Sequence, residues 1–298
     1  MQNKGILYGV AAYTAWGLLP IYWKLLGAVP ALEILSHRMV WSLLFLLLLL
    51  RYRKQWGWLR PALRNWRTVL LYLVTAVLLS VNWGVYIWAV NSGHIVEGSL
   101  GYFMNPLVNV LLGVVLLRER LRRWQVVAVV AAVLGVVLLT LRVGRLPWIA
   151  LTLAFSFGFY ALLRKKAPLD SLPGLSLETA LMFIPALIYV VWTQARGTAV
   201  FLHTDLPIAL LLPLAGVVTA LPLLWFGTAA QHVTLTTLGI LQYIAPTLQF
   251  LLGVLVYGEP FDQGKLLGYS FIWLALIIYT VERIRYYRHQ VRQAALQL

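Results

Sequence analysis

Ten stretches of this chain run almost without charge, near residues 5–25, 31–50, 69–90, 96–117, 124–141, 146–163, 175–193, 207–229, 235–256 and 266–281. Each is close to the ~20 apolar residues that a helix needs to cross about 30 Å of hydrocarbon. Polar residues gather in the short segments between the runs. No period-two alternation of apolar and polar positions appears, which disfavours a barrel of strands. The pattern predicts an all-α integral membrane protein of ten transmembrane helices. The first run follows Met1-Gln2-Asn3-Lys4. It is too long for the core of a signal peptide and no A-x-A-like site follows, so it reads as an uncleaved first span.

Composition agrees with lipid as the solvent. Of 298 residues, 61% are hydrophobic and 11% charged, against roughly 25% charged in a soluble domain. The net charge of +15 would raise nucleic acid as a partner in a soluble chain, but the basic residues fall between apolar runs rather than on a shared face, which argues against it. Eighteen Lys and Arg lie on one side of the runs, at Lys4, from Arg51 to Arg67, from Arg118 to Arg123, from Arg164 to Lys166, and from Arg283 to Arg292. Four lie on the other, Arg142, Arg145, Arg196 and Lys265. The richer side is expected to be cytoplasmic, with both termini inside. The sequence has no cysteine, so neither a disulfide framework nor a Cys-based metal site is available.

The chain repeats itself. The stretch Asn105-Pro106-Leu107-Val108-Asn109 resembles Ala245-Pro246-Thr247-Leu248-Gln249. Pro106 and Pro246, Gly113 and Gly253, and Glu119 and Glu259 all share an offset of 140 residues, while Trp16-Gly17 pairs with Phe157-Gly158 at 141. Residues 1–143 and 144–298 are therefore expected to form two five-helix repeats. An odd number of crossings per repeat places the halves in opposite orientation, a plan shared by many secondary transporters. Pro106, Gly113, Pro246 and Gly253 are the expected hinge or packing positions.

Polar residues inside the runs narrow the chemistry. Gly98, Tyr102, Asn105, Asn109 and Gly113 share one helical face, and Gln242, Tyr243, Pro246, Gln249 and Gly253 occupy the matching stretch of the ninth run. An amide facing lipid is costly, so this face should point inward. It either lines a solute site or serves as polar packing between helices. Trp16, Asn82, Trp83, Tyr86 and Tyr160 add rings with polar handles, suited to an organic solute. Trp23 and Trp88 read instead as rings of the interfacial belt.

Ionisable residues within runs cost roughly 2.5–3.5 kcal/mol on insertion scales and usually pair or face water. Glu33 and His37 lie four apart on one face of the second run, Glu97 opens the fourth and Glu178 the seventh. Glu33, His37 and Glu97 are candidate coupling residues for protons. Arg38 is either buried and paired or an anchor for an anionic group of the solute. There is no G-x-x-x-x-G-K-S/T loop for nucleotide phosphates, no H-E-x-x-H helix and no G-x-S-x-G elbow. No catalytic residue, cofactor or metal is expected. The expected partners are the bilayer and a small-molecule solute, with the chain as a monomer or weak homodimer. The rival reading is a multi-span membrane enzyme acting on a lipid or isoprenoid. It would need a cluster of acids or a nucleophile–base pair near one interface, and only nine Asp and Glu are present.

Several blocks resemble the RarD-type permeases of the EamA family, in the drug/metabolite transporter superfamily. They are Ala12-Tyr13-Thr14-Ala15-Trp16-Gly17, Glu33-Ile34-Leu35-Ser36-His37-Arg38, Asn82-Trp83, Ser99-Leu100-Gly101-Tyr102-Phe103-Met104-Asn105-Pro106, Ala154-Phe155-Ser156-Phe157-Gly158-Phe159-Tyr160 and Gln242-Tyr243-Ile244-Ala245-Pro246. The resemblance runs nearly end to end. It implies two inverted EamA repeats around a central cavity, residence in the cell inner membrane, and export of small organic solutes or drugs, with a link to chloramphenicol sensitivity or resistance. It implies no catalytic motif.

Overall fold

The structure, a computed structural model, describes residues 2–117, 121–165, 167–203, 205–232 and 241–295. Glu119 and residues 235–240 of the ninth apolar run lie outside them. The described residues form an all-helical bundle: α1 (Gln2–Leu25), α2 (Ala31–Arg53), α3 (Leu59–Arg64), α4 (Trp66–Asn91), α5 (Ile95–Leu117), α6 (Arg123–Val143), α7 (Trp148–Lys165), α8 (Ser171–Ala195), α9 (Leu206–His232), α10 (Ile244–Leu251) and α11 (Gln263–Ala295). A π-helical turn, Leu252–Val256, continues α10.

Local chemistry sets the ends. Pro30 precedes α2, where its missing N–H costs nothing. The Asn65 side chain accepts from the backbone N–H groups of Arg67 and Thr68 at the start of α4. Gly144, at φ +74°, closes α6 in the left-handed conformation that glycine adopts without strain. Pro106 lies inside α5 and is buried; its ring nitrogen cannot bond the Tyr102 carbonyl one turn back, which frees an acceptor in mid-helix. The equivalent Pro246 sits in the first turn of α10, where no helical bond is lost.

Among the described residues, eight helices are long and apolar enough to cross a membrane: α1, α2, α4, α5, α6, α8, α9 and α11. α7 is a shorter apolar helix, and so is α10 with its π-helical turn. Large apolar side chains such as Leu7, Leu48, Val115 and Leu255 are exposed on the outside of the bundle, as expected where lipid replaces water.

α1 packs on α9 and α10, α2 on α8 and α9, α4 on α7 and α8, and α5 on α7 and α10. α6 and α11 pack chiefly on each other. There Gly135 and Gly268 face across the interface, and a Cβ on Gly135 would stand 2.9 Å from the Gly268 carbonyl oxygen. Small residues bring membrane helices together in this way, through close backbone approach. Gly17 of α1 receives Leu248 of α10, and Gly158 of α7 receives Val108 of α5.

The sequence places Trp23 in an interfacial belt. The structure corrects this: Trp23 is fully buried, edge-to-face with Trp83 at 6.4 Å. Trp88 is 40% exposed and stacks on His94 at 5.6 Å, a position that fits a belt. Glu178 does not open its helix either. α8 starts at Ser171, which sets Glu178 two turns inside it, buried.

Candidate functional site

Asn82 of α4 is the polar hub of the bundle. Its amide nitrogen donates to the Leu153 carbonyl at 2.9 Å and to Ser156 Oγ at 3.0 Å, both on α7, and its oxygen accepts from the Tyr102 hydroxyl of α5 at 3.2 Å. One side chain thus fixes three helices, with every bond made inside the protein. The Tyr102 ring meets Tyr86 edge-on at 5.3 Å, and Tyr86 meets Trp83 at 6.5 Å. Trp83 in turn carries the Arg38 guanidinium of α2 over its face, 3.9 Å from the ring centroid. On the other side, Gln249 of α10 donates to the Trp16 carbonyl of α1 at 3.1 Å, and Trp16 packs among Tyr13 and Phe226.

Most buried polar atoms in proteins have partners. Along this seam several do not. Trp16 Nε1, Arg38 Nε and Nη1, Tyr86 Oη, Asn105 Oδ1 and Gln249 Oε1 are buried without a hydrogen-bond partner among the described residues. Tyr160 is half-buried, and its hydroxyl donates to Glu178 at 3.4 Å. Glu178 also accepts from Thr75 Oγ1 at 2.7 Å and faces Arg164 at 3.8 Å. Between Arg38, Ser42, Glu178, Thr179 and Thr219 the packing leaves about 20 Å³ of free space, room for about one water.

The remaining predicted positions spread out. Asn109 is exposed, beside Gly158 of α7, rather than enclosed. Gln242 and Tyr243 are half-buried in the turn before α10, with Thr280 donating to the Tyr243 hydroxyl at 3.4 Å. Gly113 and Gly253 are both buried; Gly253 packs against Ile95 and Val96 at the start of α5.

The candidate coupling acids occupy one end of the bundle. The Glu33 carboxylate accepts from the backbone N–H groups of Val200 and Phe201, at 2.9 and 3.0 Å. Glu97 accepts from Ile149 N at 3.1 Å and faces Arg145 at 3.6 Å. Glu259 accepts from Ile95 N at 2.6 Å and Val96 N at 2.8 Å. Glu97 and Glu259, on the first N–H groups of α7 and α5, are charge-assisted helix caps, whereas Glu33 ties down the loop before α9. His37 is buried with its ring 4.5 Å from Phe201, and its Nε2 has no partner among the described residues. Beside Glu97, a cavity of about 190 Å³ is lined by His94, Arg145, Glu259, Lys265 and Tyr269.

Sequence reading missed the roles of Glu178, Thr75 and Ser156. Thr and Ser inside apolar runs carry no signal of their own, because most bond their own helix, as Ser80 and Thr219 do. Among the described residues no group of three His, Cys, Asp or Glu is placed to hold a metal ion. The seam offers hydrogen bonds, ring faces and one cation, which is chemistry for holding a solute.

Known proteins fit this geometry. Residues 3–141 match the EamA-like transporter family. The chain is 50% identical over 284 residues to the protein RarD of Streptomyces exfoliatus, covering 95% of this chain and 90% of that one. It is 48% identical over 283 residues to an uncharacterized transporter of Vibrio cholerae serotype O1, covering 95% and 94%. A solved structure, described as the crystal structure of a protein, superposes with a TM-score of 0.60 at 18% identity, covering 96% of this chain and 99% of that one. It therefore shares the fold.

Proposed function

We infer that this chain, which belongs to the RarD-type members of the EamA-like transporter family, is a secondary carrier that exports small organic solutes by alternating access. As a member of that family it is a multi-pass membrane transporter. The finer reading is that ten helices form two inverted halves, residues 1–143 and 144–298, rocking about a central seam. Both termini lie on the cytoplasmic side of the inner membrane in this reading, which the excess of basic residues on that side supports.

Packing supports the two halves. Exchanging α1 with α7, α2 with α8, α4 with α9, α5 with α10 and α6 with α11 turns the pair α1/α9 into α4/α7, α1/α10 into α5/α7 and α2/α9 into α4/α8, and all six pairs are packed. The contact of Gly17 with Leu248 maps onto that of Gly158 with Val108, at the offsets of the sequence repeat. Two similar halves supply two arrangements of similar energy, one open to each side.

The observation that carries the transport reading is the seam itself. Helices from both halves meet on buried, unpartnered polar atoms of Trp16, Arg38, Tyr86, Asn105 and Gln249. Such atoms cost free energy unless something binds them. A solute whose contacts are exchanged as the halves move meets that need. The test is counterflow in proteoliposomes, using a labelled solute selected by thermal shift from a panel. Asn105→Leu and Gln249→Leu should insert normally and lose uptake against preloaded solute. Normal counterflow in both variants removes the seam from the transport path. Proton coupling is assigned to Glu97, whose carboxylate borders the larger cavity.

A further inference from the structure

Arg38 is a cation with no counter-ion among the described residues. It lies at the eighth position of α2, about 10 Å along the axis from the start of the helix, and it is 4% exposed. Two of its three guanidinium nitrogens, Nε and Nη1, find no acceptor among the described residues. The acid that borders the same cavity, Glu178, is engaged by Thr75, Tyr160 and Arg164. Arg38 and Arg164 against Glu178 leave one positive charge unbalanced in the seam. Tyr102 and Tyr160 stand within electrostatic reach, but they are phenols and supply no counter-charge. Trp83 covers one face of the guanidinium, and a cation on a ring face keeps its in-plane N–H groups free.

We propose that Arg38 is the recognition site for a carboxylate on the transported solute, and that the solute's apolar or aromatic body lies along the seam of Trp16, Trp83 and Tyr86. The proposal rests on the transport reading above and gives it a substrate class, small organic monocarboxylates. A planar guanidinium suits a carboxylate in geometry as well as charge. The free space beside it, about 20 Å³, is too small for the body of such a solute, so the site opens when the halves separate. A buried charge with no partner destabilises the empty protein, and an arriving anion relieves that cost.

The purified full-length protein in a neutral detergent gives the test by thermal unfolding. The probes are phenylacetate and hexanoate, each set against its neutral amide, phenylacetamide or hexanamide. At about 10 mM, at least one carboxylate should raise Tm by about 3 °C in a saturable way while its amide does not. Arg38→Met should remove the response while its own Tm equals or exceeds that of the parent. Arg38→Lys, which keeps the charge but not the planar fork, should retain a weakened response and serves as the control if Arg38→Met fails to fold. Equal shifts by acid and amide, an unchanged response in Arg38→Met, or no response to either carboxylate would overturn the assignment. So would a phosphatidylglycerol addition that reproduces the shift, since the anion would then be a lipid headgroup. Counterflow separates this failure from failure of the carrier reading. An Arg38-dependent shift without counterflow of labelled phenylacetate sinks the carrier and leaves the anion site. Counterflow of neutral solutes alone does the reverse.

Discussion

Two regions of this bundle bury polar groups in opposite ways. At one end, where the loops before α2, α5, α7, α9 and α11 meet, Glu33, Glu97 and Glu259 each place their carboxylates on backbone N–H groups of another segment. In mid-bundle, Arg38, Asn105 and Gln249 each keep at least one buried polar atom unpartnered. Burial of a polar side chain is common to both regions and so distinguishes nothing. Satisfaction distinguishes the three carboxylates from the seam groups, although Asn91, His94 and His37 at the acid end also keep buried polar atoms without a partner among the described residues. The acids tie segments together at their end, and the seam leaves polar groups open for the solute proposed above.

The largest expected effect tests the first half of that contrast. Glu259→Ala leaves the N–H groups of Ile95 and Val96 buried without acceptors and removes two charge-assisted bonds, a loss of about 4 kcal/mol. Thermal unfolding should show a fall in Tm of about 10 °C. A change of less than a degree would mean that these caps do not hold the end together. Asn82→Leu should come next. It breaks three bonds that join α4, α5 and α7, worth about 2–3 kcal/mol together. Both Tm and counterflow should drop, because Asn82 is satisfied and yet positions Tyr102 at the seam. Loss of flux without loss of stability would move Asn82 into the solute's contacts.

How much of this was legible beforehand depends on range. The repeat offsets in Pro106, Gly113, Pro246 and Gly253 were visible because spacing survives in a sequence, and Gly17 with Leu248 and Gly158 with Val108 follow the same spacing in space. Hydropathy found the apolar runs but misjudged ends, as at α8, where Ser171 to Gly174 continue the helix despite Pro173; proline is tolerated in a first turn. Trp23 was misread because ring position along a span says nothing about which neighbour covers it. The backbone-binding roles of Glu33, Glu97 and Glu259 were hidden for a similar reason. Their partners lie 52 to 168 residues away, and no local pattern encodes such a pairing. The face of Tyr102, Asn105 and Asn109 was legible as a face, but a helix presents an arc, and Asn109 falls on its exposed edge.

Asn105→Leu probes the other half of the contrast, with a smaller effect on stability. Its oxygen has no partner to lose, so the change should stay within about 1 kcal/mol, and removal of an unsatisfied group from a buried site is neutral or stabilising. Membrane insertion and Tm should match the parent while counterflow fails. A loss of stability near that of Asn82→Leu would show that Asn105 is packing after all, and the seam would shrink to Trp16, Arg38, Tyr86 and Gln249.

The smallest effect on stability is expected where the two regions come closest in character. Glu97 is the least enclosed of the three acids: its side chain is 18% exposed and its ion-pair partner Arg145 is 54% exposed. Glu97→Gln keeps an oxygen for the Ile149 N–H and loses only the charge facing Arg145, which should cost less than about 1 kcal/mol because the pair is open to solvent. Glu33 and Glu259 each hold two backbone amides, whereas Glu97, which borders the cavity of about 190 Å³ together with Glu259, holds one. In proteoliposomes Glu97→Gln should therefore lose uptake driven by a pH gradient and keep solute exchange at equal pH. If pH-driven uptake persists at the parent rate, Glu97 is a structural anchor like the other two, and proton coupling has to be sought within the seam.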